Sequence, residues 1–339
     1  MDLAELNKVA NAMVAPGRGI LAADESAGTC KKRFEAIGVE STEENRRDYR
    51  ELLFRSKGMA NISGVILFDE NIRQKAKDGT PLPKIIEQAG SLPGIKVDKG
   101  TKPLPFYQGE VVTEGLDGLR ERLVEYRGLG AKFCKWRAVI DIGPGIPSYY
   151  CVKANADALA RYAALCQEEN LVPIVEPEVL MDGDHDIDRC YQVTELALKA
   201  LFHELYLARV KLEGMVLKPN MVVPGKKSAK QASVDEVAEK TLGVLKECVP
   251  AAVPGIAFLS GGQSDVDATA RLNAMNRMGG GPWKITFSYS RALQAAPQKA
   301  WSGKAENVPA AQAAFTHRAA MNALASMGKW SPELEKKAA

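Results

Sequence analysis

Eight short apolar runs, separated by amphipathic helical patterns, predict an α/β protein built as a closed (β/α)8 barrel. Consecutive runs lie roughly 30–45 residues apart, which leaves room for a crossover helix between each pair of parallel strands. Strand and helix alternate eight times, and this repetition favours a closed barrel over an open doubly wound sheet. No linker, low-complexity tract or shift in composition interrupts residues 1–339, so we expect a single domain with extra N- and C-terminal helices.

Hydrophobic periodicity places the predicted elements along the chain. The strands are expected at Ile20–Ala23, Val65–Phe68, Ile95–Val97, Phe133–Arg137, Pro173–Glu176, Met215–Lys218, Ile256–Ser260 and Ile285–Ser288. Helices are expected at Glu43–Arg55, Gly118–Leu129, Ala154–Glu168, Arg189–Leu207, Val234–Glu247, Asp265–Asn276 and Ala310–Met327. The first residues, MDLAELNKVANAMV, form an amphipathic pattern that predicts an N-terminal helix and not a signal peptide.

The composition argues against several classes of protein. The 45 basic and 42 acidic residues nearly balance, so no strong field favours nucleic acid or an anionic membrane. No apolar run approaches the ~18 residues of a membrane span. Three dispersed histidines offer no zinc-ligand spacing, and six scattered cysteines lack a C-x-x-C pair. We therefore expect a cytoplasmic protein with reduced thiols and no metal site.

The stretch Gly214-Met-Val-Leu-Lys-Pro-Asn220 combines an apolar strand with a lysine at its end. Pro219 ends the strand, so Lys218 is expected at the strand's C-terminal lip. A buried lysine loses part of its preference for the ammonium form, and a neutral amine can attack a carbonyl carbon to form a Schiff base. The alternative is a lysine whose ammonium group reaches solvent from the barrel rim.

Carboxylates follow two other predicted strands. Glu176-Pro-Glu178 ends the apolar run Leu-Val-Pro-Ile-Val. Like charges this close tend to have separated pKa values, as a general acid or base requires, unless the two glutamates belong to an ordinary acidic loop. Asp24 follows the first strand and is either a further base or the N-cap of the next helix.

Leu259-Ser-Gly-Gly-Gln263 is a strand end that enters a glycine turn. Backbone N–H groups in such a turn can hold a phosphate, although turns use glycine for other reasons as well. Arg291, just past the eighth strand, is expected to close the same site. Lys96, Arg137 and Arg33 suggest a second anion subsite on the first half of the barrel, unless they are solvated surface charges.

Charged side chains thus converge on one mouth of the predicted barrel. Side chains at the C-terminal ends of barrel strands form the active site in this fold. Such a set of charges, which also includes Lys135, is costly to desolvate unless the charges pair or hold a ligand. Asp182-Gly-Asp-His-Asp186 lacks the spacing and distal glutamate of a calcium loop, so we expect a solvated turn there.

Several segments of the chain resemble those of class I fructose-bisphosphate aldolases. They occur in the family's order from about residue 10 to 330, and they are GRGILAADES, GVILFDE, GIKVDKG, KWR, LVPIVEPE, LEGMVLKPNM, PGIAFLSGGQS, LNAMN and FSYSRALQ. The resemblance implies a TIM barrel that assembles as a homotetramer, needs no metal or other cofactor and acts on a small sugar phosphate. The implied reaction is the reversible cleavage of fructose 1,6-bisphosphate to dihydroxyacetone phosphate and glyceraldehyde 3-phosphate, as in glycolysis and gluconeogenesis.

Carried over position by position, the resemblance implies a role for each candidate. Lys218 is similar to the Schiff-base lysine, and Glu176, with Glu178 beside it, to the acid/base that dehydrates the carbinolamine. Asp24 resembles the base that takes the 4-hydroxyl proton, and Lys135 the cation that steadies Glu176 and the intermediates. The residues similar to the 1-phosphate side are Arg33, Ser260, Gly261, Ser288 and Arg291, with Gly262 as the second glycine of the turn; those similar to the 6-phosphate side are Ser26, Thr29, Lys96 and Arg137.

In this arrangement the iminium at Lys218 supplies the electron sink that a metal supplies in the other aldolase class. The positive charge of Lys135 is also expected to lower the pKa of Lys218 by like-charge repulsion.

Two features depart from the family pattern. Ser290 stands where the family commonly has glycine or alanine, and its side chain can alter a backbone contact to phosphate.

The second departure lies at the C-terminal end of the sequence. The last tyrosine is Tyr289, whereas animal and plant members carry a longer tail whose terminal tyrosine assists proton exchange on the enamine. Which group performs that step in this chain is open. The short tail resembles that of bacterial members and favours the cytoplasm over a plastid.

Two other functions stay open at this point. One is a Schiff-base aldolase that prefers another ketose phosphate, such as fructose 1-phosphate. The other is a catalytically vestigial barrel that uses its anion sites to bind a partner protein. Borohydride trapping distinguishes the last possibility, because only an enzyme forms a reducible adduct on Lys218.

Overall fold

The structure is a computed structural model that describes residues 1–336. The strands in this part of the chain are β1 (Gly19–Ala23), β2 (Ile62–Leu67), β3 (Leu92–Lys96), β4 (Thr101–Pro103), β5 (Val111–Thr113), β6 (Phe133–Ile140), β7 (Val172–Val179), β8 (Val216–Leu217), β9 (Gly255–Phe258) and β10 (Lys284–Tyr289). The helices are α1 (Leu3–Met13), α2 (Ala27–Glu35), α3 (Glu43–Phe54), α4 (Asp69–Arg73), α5 (Leu82–Gln88), α6 (Leu119–Gly128), α7 (Tyr149–Glu168), α8 (Ile187–Leu207), α9 (Val234–Cys248), α10 (Asp265–Arg277), α11 (Arg291–Trp301), α12 (Val308–Ala325) and α13 (Pro332–Glu335). Short 3-10 turns lie at Lys57–Asn61, Leu212–Gly214 and Ala305–Asn307.

Eight of these strands form a closed parallel barrel, which confirms the predicted fold class. The order around the barrel is β1, β2, β3, β6, β7, β8, β9 and β10, and β10 pairs with β1. Strands that follow one another in the chain are neighbours in space, with one or two helices in each crossover. β4 and β5 form an antiparallel hairpin outside the barrel. The sequence does not predict this hairpin, because strands of three residues are too short to show an alternating pattern.

Alternation along the strands divides the apolar core into two layers. In β1, Ile20 and Ala22 belong to an inner cluster that includes residues of several other barrel strands. Leu21 and Ala23 belong to a larger outer cluster, which lies between the barrel and its helices. The near-continuous apolar runs of the sequence therefore reflect strands that are buried on both faces.

Helix α1 covers the N-terminal end of the barrel. Its residues Leu6, Ala10 and Met13 lie in the inner cluster, and the Met13 carbonyl accepts a hydrogen bond from the Ser63 hydroxyl in β2. The open mouth is therefore at the other end, where the strands finish.

α12 corresponds to the predicted C-terminal helix. Within residues 1–336, no helix combines the length and apolar character required to cross a membrane.

Glycines in two adjacent strands make room for one aromatic ring. Phe133 in β6 is fully buried, and a Cβ atom on Gly94 in β3 would lie 2.3 Å from its ring. A Cβ atom on Gly64 in β2 would lie 2.9 Å from the same ring. Because interior packing is close to that of a crystal, the two glycines supply the volume that Phe133 fills.

Observed element ends differ from the predicted ones where caps or pairing decide them. β8 has only two residues, but the Lys218 N–H still donates a hydrogen bond to the Val175 carbonyl at 2.8 Å. Pro219, which has no N–H group, ends the hydrogen bonding between the two strands. α7 begins five residues before the predicted start because the Ser148 hydroxyl caps it, accepting from the Cys151 N–H at 3.1 Å. The predicted helix ranges do not include α2, α4, α5, α11 or α13. Of these, α4, α5 and α13 have only five, seven and four residues, too few to show a helical period.

Candidate active site

A cleft of about 560 Å³ opens at the C-terminal ends of the barrel strands. Every site residue predicted from the sequence lines it except Gly262; those that do are Asp24, Ser26, Thr29, Arg33, Lys96, Lys135, Arg137, Glu176, Glu178, Lys218, Ser260, Gly261, Ser288 and Arg291. Further lining residues are Ala22, Glu25, Asp98, Gly100, Thr101, Val139, Leu259 and Ser290. Charges from all sides of the barrel thus face one enclosed space.

Four charged side chains form a continuous ionic chain in the cleft. Lys135 Nζ lies 2.9 Å from Asp24 Oδ2 and 3.1 Å from Glu176 Oε2. Lys218 Nζ lies 3.3 Å from Oε1, the other carboxylate oxygen of Glu176. Lys135 and Glu176 belong to the neighbouring strands β6 and β7, and Lys218 directly follows β8. Asp24 follows β1, on the far side of the barrel, so the chain spans the mouth.

These side chains are withdrawn from solvent, with exposed fractions between 4% and 11%. Desolvation alone would raise the pKa of Asp24, but Lys135 and Lys218 outweigh it and hold this pKa well below its usual value. The same two lysines overcome the desolvation of Glu176 and lower its pKa. Both acids are therefore carboxylates at neutral pH and can accept a proton.

The two lysines of the chain have opposite pKa shifts. Burial is the largest influence on Lys218 and lowers its pKa; Glu176 opposes this effect, and the charge of Lys135 reinforces it. Lys135 is buried as well, but Asp24 and Glu176 together raise its pKa above the ordinary value. Lys218 therefore gives up its proton more readily than Lys135, as a nucleophilic amine requires. Like-charge repulsion acts in the expected direction, although desolvation is the larger cause.

A second group of ion pairs occupies the first half of the barrel mouth. Arg137 Nε contacts Glu178 Oε2, and Lys96 Nζ lies 3.7 Å from Asp98 Oδ1. Asp98 also accepts hydrogen bonds from the backbone N–H groups of Arg137, at 3.3 Å, and Gly100, at 3.1 Å. Sequence reasoning missed Asp98. Its position two residues after Lys96, just past the end of β3, is the signal that could have identified it.

Ser26 caps the helix that follows β1. Its hydroxyl accepts a hydrogen bond from the Thr29 N–H at 3.4 Å and lies 3.2 Å from the Thr29 hydroxyl. This distinguishes the two alternatives for Asp24, because the cap belongs to Ser26 and the Asp24 carboxylate contacts Lys135 instead. Two hydroxyls at the N-terminus of α2 can donate to an anion near that end of the helix.

The turn after β9 presents backbone and guanidinium groups to the cleft. Gly261 has a positive φ of 64°, which glycine adopts without strain. Arg291 donates a hydrogen bond to the Gly261 carbonyl, so the guanidinium and the turn form one surface. Ser288 is buried, and its hydroxyl has no hydrogen-bond partner within residues 1–336. A buried, unpartnered hydroxyl in a cleft with an arginine is suited to an anionic ligand.

Gly262 does not line the cleft, and the side chain of Lys226 lies next to it. A Cβ atom on Gly262 would lie 2.3 Å from Lys226 Nζ and 2.4 Å from Lys226 Cε. The end of the Lys226 side chain therefore lies directly against Gly262. The sequence does not indicate this contact, since Lys226 belongs to the loop after β8 and lies 36 residues before Gly262.

Glu25 is a buried carboxylate at the edge of the cleft that the sequence did not single out. Arg33 and Arg50 both pair with it. The Ser290 hydroxyl and the Gln294 amide donate to Glu25 Oε1 at 2.6 and 2.8 Å. Ser290 also accepts from Arg33 at 3.0 Å. The extra hydroxyl of Ser290 is thus bound to the Glu25–Arg33 pair, and the charge of Arg33 is partly neutralised.

The acidic loop after β7 is a turn whose side chains cap and pair. Asp186 caps α8 by accepting from the Arg189 N–H at 2.7 Å, and Asp182 Oδ1 lies 2.7 Å from Lys226 Nζ. In the part of the chain that the structure describes, no group of three or more His, Cys, Asp or Glu residues is placed to hold a metal ion. Only part of this loop is solvated, because His185 is buried.

Comparison with known proteins places the chain and its fold in one family. The family model described as fructose-bisphosphate aldolase class-I matches residues 5–339. A probable fructose-bisphosphate aldolase class 1 from Xanthomonas campestris pv. campestris is 58% identical over 332 residues, which are 97% of this chain and 99% of the relative. A non-muscle type fructose-bisphosphate aldolase from Lethenteron camtschaticum is 52% identical over 331 residues, covering 97% of this chain and 91% of the relative.

Solved structures agree with the sequence matches. The fructose-bisphosphate aldolase of Plasmodium falciparum, solved in complex with TRAP and a small-molecule inhibitor, is similar with a TM-score of 0.96 and 47% identity. The match covers 97% of this chain and 96% of that chain. Sequence and fold therefore agree over nearly the full length, and the chain belongs to the class I fructose-bisphosphate aldolase family.

Proposed function

We propose that this protein, a lyase, cleaves fructose 1,6-bisphosphate reversibly to dihydroxyacetone phosphate and glyceraldehyde 3-phosphate through a Schiff base on Lys218. The observation that supports this most directly is the pairing of Lys218 with Glu176. A buried amine of lowered pKa lies 3.3 Å from a carboxylate that can take its proton. This pair supplies both the nucleophile and the proton acceptor that imine formation requires.

Imine formation follows from this geometry. Glu176 accepts the ammonium proton, and the neutral Lys218 amine forms a bond to the ketone carbon C2. The C2–O double bond becomes a single bond, and one proton of the attacking nitrogen passes to the oxygen, which gives the carbinolamine hydroxyl. Glu176, now protonated, returns a proton to that hydroxyl, which leaves as water and produces the iminium. Lys135, 3.1 Å from the same carboxylate, stabilises the ionised form of Glu176 before the first proton transfer and after the second.

Asp24 is proposed as the base of the carbon–carbon cleavage step. Its carboxylate removes the proton of the 4-hydroxyl group, the C3–C4 bond breaks, and the bonding electrons neutralise the iminium to give an enamine. The aldehyde product leaves, the enamine takes up a proton at C3, and hydrolysis of the resulting imine regenerates Lys218. Lys135 donates a hydrogen bond to Asp24 at 2.9 Å and keeps it ionised for this role.

The two phosphates of the substrate fit the two groups of polar residues on either side of Lys218. We assign the 1-phosphate to the β9 turn, where Ser260, Gly261, Ser288 and Arg291 line the cleft. We assign the 6-phosphate to the opposite side, lined by Ser26, Thr29, Lys96 and Arg137. Backbone N–H groups, hydroxyls and cations are the donors that phosphate oxygens prefer.

We further propose that the chain folds as one barrel domain, assembles as a homotetramer and acts in the cytoplasm. The single closed barrel supports the first of these proposals. The exposed apolar side chains Leu196, Tyr206 and Leu207 on α8 support burial against another subunit. Sedimentation equilibrium at several concentrations tests the tetramer, since a monomer of 36.7 kDa is easily distinguished from four associated chains.

The decisive experiment for the function is cleavage of fructose 1,6-bisphosphate in the presence of EDTA, followed by borohydride reduction and peptide mass mapping. We expect undiminished activity and a triose-phosphate adduct on Lys218. Loss of activity with EDTA would contradict the metal-independent mechanism, and absence of both activity and adduct would contradict the function. The ratio of rates with fructose 1-phosphate and fructose 1,6-bisphosphate measures the contribution of the 6-phosphate subsite.

A further inference from the structure

The loop after β8 is attached to the acidic loop after β7 by its backbone. The Gly225 N–H donates to the His185 carbonyl at 2.8 Å, and the Lys226 N–H donates to the Met181 carbonyl at 2.7 Å. A Cβ atom on Gly225 would lie 2.2 Å from the Gly183 carbonyl oxygen, so glycine permits this close approach. The backbone of Lys226 therefore has a defined position beside the cleft.

The side chain of Lys226 extends from this position across the turn after β9. Its Nζ and Cε atoms lie within 2.4 Å of the place that a Cβ atom on Gly262 would occupy. Gly261, the preceding residue, lines the cleft and accepts a hydrogen bond from Arg291. The Lys226 ammonium group thus lies on the same turn as the groups assigned to the 1-phosphate.

Asp182 is the partner of Lys226, and the pair is open to solvent. Lys226 Nζ lies 2.7 Å from Asp182 Oδ1, and the two side chains are 41% and 61% exposed. The hydrogen bond from Lys226 lowers the pKa of Asp182, and the charge of Arg291 adds to the effect. An exposed ion pair contributes little net stability, so the ammonium can exchange this carboxylate for a phosphate dianion at small cost.

We propose that Lys226 is a further substrate-binding residue of the 1-phosphate subsite, held over the β9 turn by Asp182 and transferred to the phosphate when substrate binds. The proposal rests on the proposed function, because it adds a cation to the subsite assigned above. Asp182 weakens binding of the substrate, because its negative charge competes with the phosphate for Lys226 and Arg291.

A purely structural role for the Lys226–Asp182 pair makes a different prediction. If the pair only joined the two loops, removal of either side chain would loosen the turn and weaken substrate binding. In the proposed role, removal of the cation weakens binding, but removal of the anion strengthens it. The sign of the Asp182 effect therefore distinguishes the two roles.

The test compares Lys226→Met, Lys226→Arg and Asp182→Asn, with Lys230→Met as the matched control from the same loop. We expect Lys226→Met to raise KM for fructose 1,6-bisphosphate on the order of fivefold with kcat nearly unchanged, and Lys226→Arg to restore KM. Asp182→Asn should lower KM about twofold to threefold by removing the competing charge. Lys230→Met should leave KM unchanged.

Titration with inorganic phosphate, followed by calorimetry, provides a second measurement that does not depend on catalysis. Lys226→Met should weaken phosphate binding and Asp182→Asn should strengthen it. If the wild-type protein did not cleave the sugar bisphosphate, the proposed function would fail, while this titration would still test Lys226. An unchanged phosphate affinity in Lys226→Met, or equal weakening in both variants, would overturn the proposal.

Discussion

Lys218 and Glu176 meet at 3.3 Å where two neighbouring strands of the barrel finish. The contact joins a buried amine whose pKa is lowered to a buried carboxylate whose pKa is lowered as well. The lowered pKa of Lys218 favours release of its proton, and the lowered pKa of Glu176 keeps the acceptor ionised before the transfer. Lys135 holds the other oxygen of Glu176 at 3.1 Å and so prevents the carboxylate from pairing with Lys218 alone.

Replacement of Lys218 by methionine should abolish turnover and preserve the fold. Without the amine no imine forms, so we expect activity to fall on the order of 10,000-fold or more and borohydride trapping to disappear. The unfolding free energy should fall by less than the ~3–5 kcal/mol that removal of one partner of a buried ion pair usually costs, because Lys135 still pairs with Glu176. Exposed Lys8, changed to methionine, is the control for both measurements. Residual turnover above a few per cent of wild type would assign the nucleophile to another residue.

Glu176→Gln should slow imine formation and leave substrate binding nearly intact. The amide cannot take the Lys218 proton or return one to the leaving hydroxyl, so kcat should fall by roughly 100- to 10,000-fold. Rapid-mixing kinetics should show slow formation of the reducible imine. Glu178→Gln is the comparison, because that carboxylate contacts Arg137 and should affect KM more than kcat. A smaller kcat loss in Glu176→Gln than in Glu178→Gln would reverse the two assignments.

The fold could be predicted in most of its parts from periodicity alone. Strands such as Val172–Val179 are buried on both faces, so their apolar runs stand out in the sequence. Pro219 marked the end of β8, and the lysine before it could be placed at the mouth for that reason. The β4–β5 hairpin and the shortest helices could not be predicted, because elements of a few residues depend on tertiary packing and are too short to show a repeated pattern.

Within the site, residues at strand ends could be anticipated, but their partners could not. The sequence suggested that Asp24 and Glu178 were charged groups at the mouth, whereas their pairing with Lys135 and Arg137 joins residues 111 and 41 positions apart in the chain. Glu25 was missed for the same reason. Its four donors are Arg33 on the next helix, Arg50 on α3, and Ser290 and Gln294 more than 260 residues further along the chain. Long-range pairing of this kind leaves no local signal.

Asp24 should make stability depend on acid pH. Its pKa is lowered in the folded protein, so the stability it contributes is fully present above the unfolded pKa of ~3.9 and is lost as pH falls through the folded pKa. Urea unfolding at a series of pH values below ~4 should therefore show a steep fall in the unfolding free energy for wild type. Asp24→Asn removes one titrating carboxyl group, so it should reduce the slope of the unfolding free energy against pH by up to ~1.4 kcal/mol per pH unit. Equal slopes for the two proteins would show that Asp24 has the same pKa in the folded and the unfolded protein.

Gly94→Ala should destabilise the barrel through a steric conflict with Phe133. A Cβ atom at position 94 would lie 2.3 Å from the ring, so the ring or strand β3 must move, at a cost of about 1–3 kcal/mol. Gly128→Ala is the matched control, because nothing lies within 4 Å of a Cβ atom there and helix propensity favours alanine by up to ~1 kcal/mol.

The smaller side chain of Phe133→Leu should partly relieve the conflict. Equilibrium unfolding of both single variants and the double variant then measures their interaction. If Gly94→Ala costs less in the Phe133→Leu background than in wild type, the ring is what position 94 must accommodate. Equal costs in both backgrounds would instead place the requirement for glycine in the backbone of β3 and not in the Phe133 ring.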